Sequence, residues 1–280
     1  MNAEGRVYKA TGIKLFWRML LARAYPRFVS PIREKSWLFF ETFLPLMATS
    51  AYVFVYKAVD APPEFIGFVV IGGTMSAFWL NVLFGMAMQL YWDKEIGNLD
   101  AYILSPGPIM AILAGMALGG MVVAASRAVF VLVIASLAFQ VTYTISSLPL
   151  LILVFLLTLL ALYGMGMMFA AVYLAAGRDA WQINSLFQEP IYFISGFYFP
   201  VKTLGFWFAA AASIIPLTLG LDAMRQILFS GDPALGFLPV EVEILLLIVL
   251  SVVFLAVSQW ALVTLERIGR RDGRIIERRR

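Results

Sequence analysis

The sequence predicts an all-α integral membrane protein. It would have six transmembrane helices, an N-terminal helix on the cytoplasmic surface, and an outer re-entrant helical hairpin between spans five and six. Three observations predict this. Hydrophobic residues make up 62% of the 280 positions and charged residues 14%, against about 45–50% and about 25% in soluble domains. Mean hydropathy is +0.88. The 21 Lys and Arg lie mostly at the two ends of the chain, which is a topology signal.

Residues 1–36 hold eight bases against Glu4 and Glu34. This region is too basic and too long for a cleavable leader. Within it, residues 13–29 read as a helix at the membrane surface, by composition and position. A span needs about 20 mostly apolar residues. Six runs qualify, at about 37–57, 65–90, 108–140, 148–176, 182–198 and 243–265, and together they define a transmembrane domain over 37–265. Between the last two, residues 199–228 stay apolar but are cut by Pro200 and Pro216. The 15 residues between those prolines are too few to cross and return, so a re-entrant hairpin fits. Six spans put both termini on one side, and 17 of the 21 bases fall there, including those of the basic tail 266–280. The expectation is a multi-pass protein of the cell inner (plasma) membrane with cytoplasmic termini.

The loop after the second span carries Asp93, Lys94, Glu95, Ile96, Gly97, Asn98, Leu99, Asp100, Ile103, Leu104, Ser105 and Pro106. Ile96, Leu99 and Ile103 fall on one face of a helix over about 93–104. Asp93 and Glu95 would sit in its first turn, where the helix dipole favours acids. Ser105-Pro106-Gly107-Pro108 would stop it. Such a helix is either a solvated connector or a rigid contact for a partner, with Leu99 and Ile103 as anchors and the acids fixing register.

Two stretches resemble type-2 ABC exporter permeases. One is Asp93-Lys94-Glu95-Ile96-Gly97-Asn98-Leu99-Asp100 followed by Leu104-Ser105-Pro106. The other is Gly196-Phe197-Tyr198-Phe199-Pro200, then Ile215-Pro216-Leu217-Thr218 and Asp222-Ala223-Met224-Arg225. Asn98 stands where that family often has Thr, and Asp222 where it often has Glu. The resemblance implies a permease that pairs with a second permease, the same chain or a related one, on two cytoplasmic ABC ATPases. It implies that the helix after span two couples to the ATPase and that the N-terminal helix is a second contact. It implies that the hairpin bearing Gly196, Phe199, Pro200, Pro216 and Arg225 gates export at the outer face. Substrates of the family include lipids, glycans and amphipathic drugs. The chain has no G-x-x-x-x-G-K-[ST], so ATP and Mg belong to the partner ATPase and no cofactor is expected on this chain.

Other residues bear on alternatives. With no His and no Cys, most zinc sites and Ser-His-Asp catalysis are excluded, and the chain reads as a transport subunit without metal or catalytic residues. Arg127 and Glu189 are ionisable residues inside spans, which are costly and often functional. A secondary transporter built around them is the alternative reading, and a membrane enzyme ranks third. Gly107, Ala111, Gly115 and Gly119 recur every four residues. They form a face for close helix approach, either within the chain or to a second copy. Tyr192, Phe193, Phe197, Tyr198, Phe199, Phe206, Trp207 and Phe208 form an aromatic cluster, read as an interfacial belt or an exit path. Arg278-Arg279-Arg280 fits anionic membrane lipid, not nucleic acid.

Overall fold

A computed structural model describes residues 12–105, 107–229 and 236–272. Among them every regular element is helical. The order is α1 (Ile13–Arg33), α2 (Lys35–Ala58), α3 (Pro63–Leu80), a π-helical stretch Asn81–Ala87, α4 (Met88–Glu95) and α5 (Asn98–Leu104). Then follow α6 (Ile109–Phe139), α7 (Leu148–Ala176), α8 (Ala180–Ile194), α9 (Phe206–Ala212), α10 (Pro216–Leu228) and α11 (Val240–Asp272). Among the described residues five stretches are long and apolar enough to cross a membrane, and a sixth is if the bent pair α9–α10 counts as one.

α3, the π stretch and α4 form one continuous rod of 33 residues, Pro63–Glu95, about 50 Å by helix rise. Its upper half is the centre of the bundle: Gly67 through Trp79 are all buried. α2 and α11 are peripheral. Phe39, Phe43, Met47 and Phe54 on α2 are exposed, as are Leu245, Ile248, Val252 and Trp260 on α11. Apolar belts of this extent suit hydrocarbon and not water.

Residues 148–194 form one apolar stretch of 47 residues, but the chain turns back inside it. Gly177 has φ 60°. Beyond it Phe187 stacks on Phe169 at 4.2 Å, and Tyr173 donates to Asn184 at 3.1 Å. α8 therefore runs antiparallel to α7. At 15 residues it rises only about 22 Å. α9 and α10 meet at 111°. They lie at the end of the bundle that holds the α2–α3 and α6–α7 turns. Thr144 and Ser146 N–H donate to the carbonyls of Leu228 and Ile227, and Phe68 packs on Phe229.

α1 lies along the first half of α6, in the same direction. The turn before α6 and the small-residue face of α6 receive it: Gly107 in the turn meets Met19, and on α6 Gly115 meets the Leu20 carbonyl and Gly119 the Ala24 carbonyl. A Cβ at Gly119 would lie 2.5 Å from that oxygen and 2.8 Å from the Cβ of Arg27. The recurrence of small residues thus serves packing within the chain. The opposite face of α1, with Ile13, Trp17, Leu21, Tyr25 and Phe28, is exposed.

The loop after span two departs from expectation. It is not one helix over 93–104. α4 carries the span through to Glu95, Gly97 turns left-handed at φ 86°, and α5 restarts at Asn98. Only glycine adopts that conformation without a steric penalty. Asp93 and Glu95 therefore end one helix and do not begin another, so the helix dipole works against them.

Candidate functional site

At the α4–α5 end of the bundle, Asp93 is the node. Its carboxylate is 2% exposed and pairs with the Arg23 guanidinium of α1. It also accepts from Gln89 Nε2 at 3.1 Å and from the Tyr102 hydroxyl at 3.0 Å. Arg23 lies 5.1 Å above the Tyr102 ring. Burial, opposed by Arg23 and reinforced by Asp93, pushes the Tyr102 phenol up to about 12, so it stays a donor. Ser105 Oγ reaches Met19 Sδ at 3.6 Å. Three segments, α1, α4 and α5, are thereby locked to one another.

This changes what the loop can offer a partner. Leu99 is 2% exposed and belongs to the chain's own core, so it is not an external anchor. Asp93 is spent internally and cannot set register outside. The tip exposes Glu95, Ile96 (64%), Asn98 and Ala101, with Gly97 at the bend. Ile103 and Leu104 belong to α5, but their side chains, the Asp100 side chain and all of Pro106 lie outside the described residues. So does the tail triplet Arg278–Arg280.

At the opposite end the two hairpin motifs meet through Arg225. This residue is 3% exposed. Nη1 donates to the carbonyls of Gly196 at 2.6 Å and Phe199 at 3.4 Å. Nη2 donates to those of Phe68 and Phe197, each at 2.8 Å. One guanidinium thus ties α10 to the Gly196–Pro200 loop and to α3. Gly196 has φ 69°, and a Cβ there would lie 2.9 Å from the Phe199 carbonyl. Pro200 precedes a short 3₁₀ turn, Val201–Leu204. Pro216 starts α10 at its first residue instead of breaking a helix, as its fixed φ and missing N–H suit.

The aromatic cluster divides. Phe197 is buried, Tyr198 stacks on Tyr52 at 3.9 Å, and Tyr56 donates to the Tyr198 carbonyl at 2.9 Å. Phe206, Trp207 and Phe208 are exposed at 64%, 82% and 72%.

Arg127 and Glu189 are not brought together. Arg127 is buried and pairs with Glu41 of α2, while Glu189 on α8 is exposed. Helix rise explains this, since Arg127 lies about 27 Å along α6, where the start of α2 passes.

Sequence reading missed the roles of Arg23, Tyr102 and Glu41. Arg23 counted as one of eight N-terminal bases, and nothing local marks it as the partner of an acid 70 residues away. A second cluster was also missed. Asp222 accepts from the Phe237 N–H at 2.7 Å and from Gln226 at 3.1 Å, and Gln226 also reaches the buried Glu243 at 3.3 Å.

A family profile described as ABC-2 type transporter matches residues 17–229. That range contains both ends of the bundle described above. Over 148 residues the chain is 26% identical to the probable multidrug ABC transporter permease YbhR of Escherichia coli strain K12, and equally to that of Escherichia coli O157:H7. The match covers 53% of this chain and 40% of each relative's length. With the profile spanning most of the molecule and the helices long and apolar enough to cross a bilayer, the chain belongs to the ABC-2 type transporter family, as a multi-pass membrane permease.

Proposed function

We propose that the chain is the membrane subunit of an ATP-driven exporter of amphipathic molecules, paired with a second permease and driven by separate cytoplasmic ATPase subunits. The observation that carries this is the Asp93 node. A subunit that receives force from outside needs a stiff contact, because a loose loop would absorb the motion. The lock between Arg23, Asp93 and Tyr102 makes the α4–α5 corner rigid and joins it to α1. The exposed Ile96 and Glu95 at its tip are the surface that meets the ATPase, with α1 as a second contact at the cytoplasmic face. Substrate chemistry follows from the multidrug description of the relatives. The bent α9–α10 pair acts as the re-entrant outer gate, latched by Arg225. ATP and Mg are held by the partner.

The test is co-purification of an ATPase and its activity. Ile96→Asp should abolish retention of the ATPase, because it puts a charge into an apolar contact. Thermal unfolding of the permease itself should be unchanged. An Ile96→Asp complex that keeps its ATPase and still couples hydrolysis to transport would remove the α4–α5 corner from the drive train.

A further inference from the structure

Between α1, α2, the π stretch, α4 and α6 lies a cavity of about 430 Å³, within the range of about 300–1,000 Å³ typical of small-molecule pockets. Its charge does not balance. Arg127 is taken by Glu41, and just behind the cavity Asp93 is taken by Arg23. Arg27, also in the lining, pairs with no acid among the described residues. Among them its Nη2 atom is buried without a hydrogen-bond partner, and so is Arg127 Nε. The lining thus carries one excess positive charge. Burial, then the neighbouring Arg23, lowers the Arg27 guanidinium to about 10, so it remains charged at neutral pH.

The walls are built for something other than a lone ion. Phe84, Trp92 and Trp181 supply aromatic faces, with Phe84 and Trp181 centroids 6.1 Å apart. Trp181 is 54% and Trp92 38% exposed, so the aromatic walls reach the surface of the bundle. Tyr163 donates to Asn81 Oδ1 at 2.9 Å, which sets the Asn81 amide with its nitrogen as donor. Gly85 and Gly120 both abut Asn81, and a Cβ on either would strike it. The space therefore depends on two glycines flanking a polar floor. The floor belongs to a π-helical stretch, a feature that recurs at functional sites.

From the unpaired Arg27 and the aromatic walls that reach the surface, we infer that this cavity binds the head of an amphiphile bearing a single anionic phosphate. The apolar body lies against Trp92 and Trp181. A guanidinium matches phosphate oxygens in a two-point geometry. A singly charged phosphodiester cancels the excess charge, and in a low-dielectric site that match decides which heads are admitted. Bilayer phospholipid and a transported alkyl phosphodiester share this chemistry.

The experiment uses the purified full chain in dodecyl maltoside micelles and a diazirine-bearing dodecyl methyl phosphate, a singly charged phosphodiester. A diazirine-bearing dodecyl maltoside is the neutral control. Adducts are mapped by peptide mass spectrometry. The phosphate probe should label residues 81–92 and the region of Trp181, and the glycoside should not. Competition should come from phosphatidylglycerol if the occupant is a membrane lipid, and from dodecyl methyl phosphate alone if it is a free amphiphile. Inorganic phosphate should fail to compete, having no apolar body. Arg27→Gln should cut labelling roughly tenfold, the size of one lost charged contact, and Arg27→Lys should restore most of it. Lys14→Gln, an exposed α1 cation away from the cavity, should change nothing. Equal labelling by both probes, no labelling by either, or identical Arg27→Gln and Lys14→Gln results would overturn the inference. Should Arg27→Gln not fold, the comparison of the two probes on the parent protein decides alone. No readout requires an ATPase, so this site and the export reading fail separately.

Discussion

Arg225 replaces an ion pair with carbonyl oxygens, and its geometry makes a sharp demand on the side chain. Two nitrogens of one planar group serve four acceptors on two segments. A lysine ammonium is a point charge and lacks that fork. Arg225→Lys should therefore fail to rescue, and both Arg225→Lys and Arg225→Met should lower stability by about 3 kcal/mol, since several buried carbonyls lose charged donors. Thermal unfolding of the purified protein measures it, and a Lys variant as stable as the parent would contradict the argument. Leu99→Ala should likewise cost about 2–5 kcal/mol of folding stability and leave ATPase binding intact in the molecules that fold. That outcome separates it from Ile96→Asp. The sequence pattern placed Leu99 and Ile96 on the same apolar face, because helical spacing was applied across Gly97. A left-handed residue resets the phase, and periodicity has no term for that.

At the scale of elements, the long apolar helices were legible because 3.6-residue geometry and bilayer thickness leave little freedom. The predicted 108–140 and 148–176 runs match α6 and α7 within a residue. The α1–α6 contact was half legible: the glycine spacing signalled a close approach, while the identity of the neighbour depended on how the chain folds back. Gly119→Val should force α1 away from α6 at a cost of about 1–3 kcal/mol. It should also loosen Arg23 from Asp93, since Arg23 sits one turn from Arg27, whose Cβ meets Gly119. Protease accessibility of α1 in the purified protein reports this. An α1 as protected as in the parent would mean that α6 can yield instead. The Arg127–Glu41 pair was not legible, because tertiary contacts between spans leave no local mark.

For the whole molecule, the charges imply a sidedness that thiol labelling tests. The antiparallel run of α7 and α8 brings Asp179 to the end that carries the Asp93 node, and puts Thr142 at the end that carries Arg225. The chain has no native cysteine, so single thiols can be introduced without background. Asp179→Cys should resist an impermeant maleimide in intact cells and react after permeabilisation, whereas Thr142→Cys should react at once. The reverse pattern would invert the topology and put the proposed ATPase surface on the wrong side.

The π stretch Asn81–Ala87 has one further consequence, best seen as a screw thread carrying an extra fraction of a turn. Each residue of an α-helix advances the azimuth by about 100°. A widened turn absorbs one residue without lengthening the rod in proportion. Everything below it, including Gln89, Trp92 and Asp93, owes its bearing to that inserted phase. Removing one residue from the stretch should give an unbroken α-helix that is still apolar and still able to insert. Its lower third would keep its bearing, so Asp93 would still face Arg23, whereas tightening the same seven residues into α-helical turns would swing it by about 100°. If the stretch did tighten in this way, the tip at Gly97 would be twisted while the buried upper half stays still. A twist of that kind would let one straight span act as an axle.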